Sequence, residues 1–123
     1  MTRLIHFEIL SDNPTRSVAF YKNALGWDIA NWGNEEYYLA STGPADQPGI
    51  NGAIMARHFP QAVINTVEVD DLAAATGRIE AAGGTRVDGP NEIPEIGAHS
   101  YFTDPDGTYF GVLQPVDDPE NMG

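Results

Sequence analysis

The chain has 123 residues, 41% of them hydrophobic, with 13 glycines and 9 prolines, the make-up of a turn-rich globule with a modest core rather than a disordered segment. Its 18 acidic against 6 basic side chains leave a formal charge of -12, a field that repels phosphate backbones and anionic lipid, so neither nucleic acid nor a membrane surface is an expected partner. No cysteine is present, which excludes disulfides, thiolate nucleophiles and thiolate metal sites, and His6, Glu8 and Asp12 interrupt the amino-terminal stretch before any signal-like apolar run, so a cytoplasmic location is expected.

In chain order, Leu4 to Leu10 reads as a strand with Ile5, Phe7 and Ile9 on one face and the ionisable pair His6 and Glu8 on the other. Asp12 or Asn13 can cap a following helix, with Pro14 in its first turn, where a missing N–H costs nothing. Val18, Tyr21 and Leu25 fall on one side of that helix, and Gly26 can close it in a left-handed conformation. Short strands are predicted at 27–32, 37–41 and 52–57, separated by Gly33-Asn34 and a long loop from Gly43 to Gly49.

The second half repeats the plan. A strand from Ala62 to Val69 leads into a helix capped by Asp70 or Asp71, with Leu72, Ala75, Ile79 and Ala82 as its apolar stripe. Then come a short strand at 85–87, a loop from Gly89 to Gly97, a strand from His99 to Thr103, the turn Asp104-Pro105-Asp106-Gly107 and a strand from Tyr109 to Gln114. Gly26 and Gly83 are separated by close to half of the 123 residues, the mark of an internal duplication. The order β-α-β-β-β is thus written twice, in modules of about 1–58 and 59–116, followed by an acidic tail, 117–123, that should fray.

These residues resemble the vicinal oxygen chelate superfamily, the group of glyoxalases, bleomycin-resistance proteins and extradiol dioxygenases. The likeness is carried by His6-Phe7-Glu8-Ile9, by Phe20-Tyr21 with Leu25-Gly26-Trp27, by Glu68-Val69-Asp70-Asp71-Leu72, by Ala82-Gly83-Gly84, and by Asp104-Pro105-Asp106-Gly107 before a final strand. Each motif alone is weak, and their order and spacing are specific. The resemblance implies an α+β fold in which two βαβββ modules, spanning residues 1–123 as one domain, form an eight-stranded, cup-shaped curved sheet with helices on its convex side. It also implies a ligand held in the cup and a homodimer, for which the exposed edges of small sheets are a physical motive.

Glyoxalase-like members hold a divalent metal with one side chain from the first and one from the last strand of each module. Carried over residue by residue, these positions fall on His6, Gly52, Ile64 and Gly111. Glycine and isoleucine side chains cannot coordinate, so neither that metal nor another cofactor is expected. His6 and Glu8 share a strand face and could share an ion, but no third donor accompanies them in the sequence, which favours a hydrogen-bonded cavity pair.

The concave face is expected to carry His6, Glu8, Ile64 and Glu68 from the first strands, with Gly52 and Gly111 leaving space. Tyr38, Tyr101 and Tyr109 are placed there as rings whose hydroxyls orient a ligand, and His99, opening a strand with Tyr101 on the same face, is placed in the cavity or at its rim. His58, at the junction between modules, is read as an exposed linker residue. The functional expectation is a small-molecule-binding protein that holds or sequesters an aromatic or cationic organic ligand without the glyoxalase metal. The alternative is a lyase, isomerase or epimerase with Glu8 or His6 as general base.

Overall fold

A computed structural model describes residues 2–33 and 36–116; the acidic tail lies outside the described residues. Its elements are β1 (Leu4–Ser11), α1 (Pro14–Leu25), β2 (Asp28–Asn31), β3 (Tyr37–Ser41), β4 (Asn51–Ala56), β5 (Val63–Glu68), α2 (Leu72–Ala81), β6 (Thr85–Ile93), β7 (Gly97–Thr103) and β8 (Tyr109–Pro115). This is an α+β chain of two βαβββ halves, as expected.

Contacts divide the chain into two compact units, one of Ile5–Asn65 and one joining Met1–Leu4 to Thr66–Gly123. Backbone hydrogen bonding explains why the chain's beginning belongs with its second half: the Glu68 N–H donates to the Arg3 carbonyl at 2.9 Å.

In the Ile5–Asn65 unit the strands run β2-β3-β4-β1, with β1 parallel to β4 and the other pairs antiparallel. Asn13 caps α1 by accepting from the Arg16 N–H at 3.1 Å, Pro14 occupies the first turn, and Gly26, at φ 71°, closes the helix with its N–H bonded back to Lys22. The inner side of α1 supplies Val18 and Tyr21 to a core of Ile29, Ala40 and Ile54, joined by Ile9, Trp27 and Tyr38. Leu25, expected on that stripe, is exposed at the helix end. Tyr21 stacks on Trp27 at 4.9 Å and Trp27 meets Phe7 at 5.7 Å, so the odd-numbered residues of β1 do cover the helix.

In the other unit the order is β5-β8-β7-β6. Asp71 caps α2 through the Ala74 N–H, and Leu72 and Ala75 pack with Val69, Phe102 and Val112, flanked by Val67 and Ile79. Ala82 ends the helix and is exposed rather than part of the stripe. The segment 89–97, expected as a loop, is largely strand: β6 continues to Ile93 beside β7, with register shifts between Arg86 and Asp88 and between Asp88 and Asn91. Gly89 permits this, since at φ 103° a β-carbon there would stand 2.6 Å from Ser100 Oγ. Asp104-Pro105-Asp106-Gly107 is a turn, with Asp104 Oδ1 accepting from the N–H groups of Asp106 and Thr108.

Candidate functional site

The helix-covered face of β1 takes Ile5, Phe7 and Ile9, so pleating turns His6, Glu8 and Leu10 to the other side. There Tyr37 from β3 closes a chain of polar contacts. Its hydroxyl donates to Glu8 Oε2 at 3.0 Å, and His6 Nε2 stands 3.2 Å from the same hydroxyl. A phenol has one proton, so if Glu8 receives it, His6 must carry its own on Nε2 and donate to the Tyr37 oxygen. The run is His6 N–H to Tyr37 O–H to Glu8.

Glu8 is only 4% exposed, while His6 and Tyr37 are half-buried. Burial lowers the His6 pKa below its usual 6.5, against the opposing pull of the Glu8 charge, so the imidazole is neutral at pH 7. Burial first, then the Glu8 charge and the hydrogen bond to it, push the Tyr37 phenol upward and keep it protonated. An imidazole, a phenol and a carboxyl group in one string can recognise a ligand that offers hydrogen-bond donors, or can move a proton.

Two expected residues of this unit lie elsewhere. Tyr38 pairs with Ile54 and packs into the helix-side core, while Tyr37, paired with Met55, takes the place expected of it. Gly52 pairs with Phe7, and a β-carbon there would come within 2.5 Å of the Phe7 ring; the glycine makes room for that ring on the helix side and none for a ligand. The residue beside Glu8 is Ala53, wholly buried. Counting from the capping residues Asn13 and Asp71, Ala53 rather than Gly52 matches Gly111, and the core residues Ile54 and Val112 follow them.

In the second unit Thr66, His99, Tyr101 and Gly111 are brought together. Tyr101 pairs with Gly111 across β7 and β8, and the His99 and Tyr101 rings meet edge-on at 4.5 Å. A β-carbon on Gly111 would lie 2.7 Å from His99 Nε2 and 2.8 Å from Thr66 Oγ1. His99 and Tyr101 are each 9% exposed, which makes His99 an interior residue rather than a rim residue. Ile64 is wholly buried on β5, and Tyr109, half-buried, shares the Gly111 side of β8 by alternation. Glu68, expected to face the cavity, is exposed at the end of β5. His58 is exposed, as expected of a linker residue.

The donor set does not fit a glyoxalase metal centre. Ala53, Ile64 and Gly111 offer no coordinating atom, His6 and Glu8 are both engaged with Tyr37, and no group of three His, Asp or Glu side chains converges among the described residues. Asn51, beside His6 in the register, has its side-chain oxygen committed to the Thr42 N–H at 2.9 Å.

This fold is that of a known class. Residues 3–112 match the Glyoxalase/Bleomycin resistance protein/Dioxygenase superfamily, and the chain belongs to it. It is 30% identical over 121 residues to a Mycobacterium tuberculosis protein described as "Putative glyoxylase CFP32", matching 92% of this chain and 44% of that one. The chain thus spans less than half the length of the curated relatives it matches. Among solved structures, methylmalonyl-CoA epimerase from Mycobacterium tuberculosis is similar with TM-score 0.69 and 14% identity, covering 93% of this chain and 88% of that one. A glyoxalase/bleomycin resistance protein/dioxygenase superfamily member from Vibrio splendidus 12B01 is similar with TM-score 0.66 and 18% identity, covering 94% and 100%. At such identities these two likenesses concern the fold.

Proposed function

We propose that the protein binds a small organic molecule carrying a hydrogen-bond donor, in the first instance a cationic amine, and that the Glu8 carboxyl group receives it. The observation that carries this reading is a carboxyl group 4% exposed on the strand face turned away from the helix, accepting a hydrogen bond from the Tyr37 phenol and close to a neutral imidazole. A carboxylate that only served solubility would stand in water. The formal charge of -12 adds a long-range attraction for cations. In this reading the glyoxalase metal is not used, and the protein works as a homodimer in the cytoplasm. The test is a thermal-shift screen against amine metabolites and antibiotics, in which a ligand at a hundredfold its dissociation constant stabilises by about 2.7 kcal/mol.

A second reading is favoured by the His6–Tyr37–Glu8 string itself, which has the parts of a proton-transfer device, and by the epimerase named among the structural likenesses. In it, Glu8 takes a proton from carbon α to a carbonyl, and returns it to the same or the opposite face. Exchange of the α-hydrogen of methylmalonyl-CoA with deuterated water measures this. Exchange abolished by Glu8→Gln supports the second reading, and its absence from the wild type removes that substrate.

A further inference from the structure

Asn51-Gly52 is the one Asn-Gly pair in the chain, and it opens β4. An asparagine before glycine is the amide most open to attack by the next backbone nitrogen, because no side chain screens that nitrogen or restricts the turn it must make. Packing keeps the pair in place: a β-carbon on residue 52 would stand 2.5 Å from the Phe7 ring, so the fold itself requires the glycine. Asn51 is exposed, and with Thr42, Gly43 and Gly49 it lines a hollow at the surface. Thr42 restrains it twice. Its N–H donates to Asn51 Oδ1 at 2.9 Å, and its hydroxyl donates to the Ile50 carbonyl at 2.6 Å, with Oδ1 3.4 Å away. These bonds tie the amide, and the residue before it, to the end of β3.

We propose that Asn51 is a site of spontaneous deamidation, gated by the hydrogen bonds from Thr42. When the first residue of β4 comes free, a local opening that leaves the rest of the sheet folded, the Gly52 backbone nitrogen gives up its proton and attacks Asn51 Cγ. The bond from Cγ to the side-chain nitrogen breaks, ammonia leaves, and a five-membered succinimide remains. Water then opens the ring at one carbonyl or the other, giving aspartate or isoaspartate; no other reactant is needed. The two products differ in what they do to the fold. Aspartate keeps the backbone and an oxygen that accepts from the Thr42 N–H. Isoaspartate adds a methylene to the main chain just ahead of Ala53 and Ile54, both wholly buried, and so pushes β4 out of register. Asn51 pairs with His6, so the aspartate form also adds a negative charge to the strand pair that carries Glu8. The site goes beyond the ligand-binding reading and stands without it.

The test incubates the whole chain, folded, at mildly alkaline pH and follows each asparagine by peptide mapping and mass spectrometry, with isoaspartyl methyltransferase to count the isoaspartate. The urea-unfolded chain serves as the clock. Asn51 converts before Asn13, Asn23, Asn31 and Asn91, and more slowly in the folded chain than in the unfolded one. Thr42→Val, which loses the hydroxyl bond to Ile50, speeds conversion of the folded chain by about twofold to tenfold, the ratio set by one hydrogen bond, and leaves the unfolded rate unchanged. Asn51→Gln abolishes the early conversion, and Asn51→Asp melts close to the wild type while the isoaspartyl fraction melts below it. A folded chain that converts first at another asparagine overturns the proposal. So does a folded Asn51 that stays intact for weeks while the unfolded chain converts, or a Thr42→Val protein that converts no faster than the wild type. None of these readouts uses a ligand, so the Glu8 reading is scored separately.

Discussion

Tyr37 is the residue on which the first polar site turns, because one hydroxyl donates to Glu8 and accepts from His6. Tyr37→Phe keeps the ring and removes both contacts, and should cost about 1–3 kcal/mol of stability, read from chemical denaturation. The raised Tyr37 pKa predicts that its phenol stays protonated when exposed tyrosines ionise, so the wild type and Tyr37→Phe should show equal phenolate absorbance through the ordinary tyrosine range. His6 gives a pH signature of known sign. Its pKa is lowered in the folded state, so as pH falls below 6.5 the unfolded chain takes up the proton first. The His6 contribution is therefore complete above 6.5 and is lost as pH falls from there toward the depressed folded value. The melting temperature of the wild type should decline more steeply than that of His6→Gln over that range; parallel curves would mean that His6 titrates as it does in the unfolded chain.

At the scale of elements, most of the architecture was legible because it rests on strong local signals. The alternation in β1, the caps at Asn13 and Asp71 and the left-handed Gly26 place two helices and name the face that His6 and Glu8 share. Adjacent tyrosines defeat the same logic in β3: nothing in Tyr37-Tyr38 says which ring faces the helix, and only pairing with β4 decides it. Gly52 was misplaced for a related reason. A one-residue offset between two glycine-containing strands reverses every side chain, and the helix caps, rather than the glycines, carry the correct alignment. Thr66 stands as far before the cap Asp71 as Glu8 does before Asn13, and its burial there is a property of packing. The Gly52 assignment has its own test. Gly52→Ala drives a methyl group into the Phe7 ring and the Phe7 carbonyl, each 2.5 Å away, and should cost about 1–3 kcal/mol, whereas a concave-facing glycine would accept alanine with little loss.

For the molecule as a whole, the two units repeat one plan with different polar sets, a carboxyl–phenol–imidazole string in one and a hydroxyl–imidazole pair in the other. No helix among the described residues is long and apolar enough to cross a membrane. The homodimer is tested by sedimentation at protein concentrations of about tens of micromolar, where a monomer would contradict it. The central claim, that Glu8 is a ligand-receiving group, is tested most directly by calorimetric titration of wild type and Glu8→Gln with the best amine from the thermal screen and with a neutral analogue of it. The account predicts that Glu8→Gln weakens the amine by about tenfold to a hundredfold and leaves the neutral analogue unchanged. Equal affinity of both proteins for the amine would make Glu8 a structural residue and contradict the account.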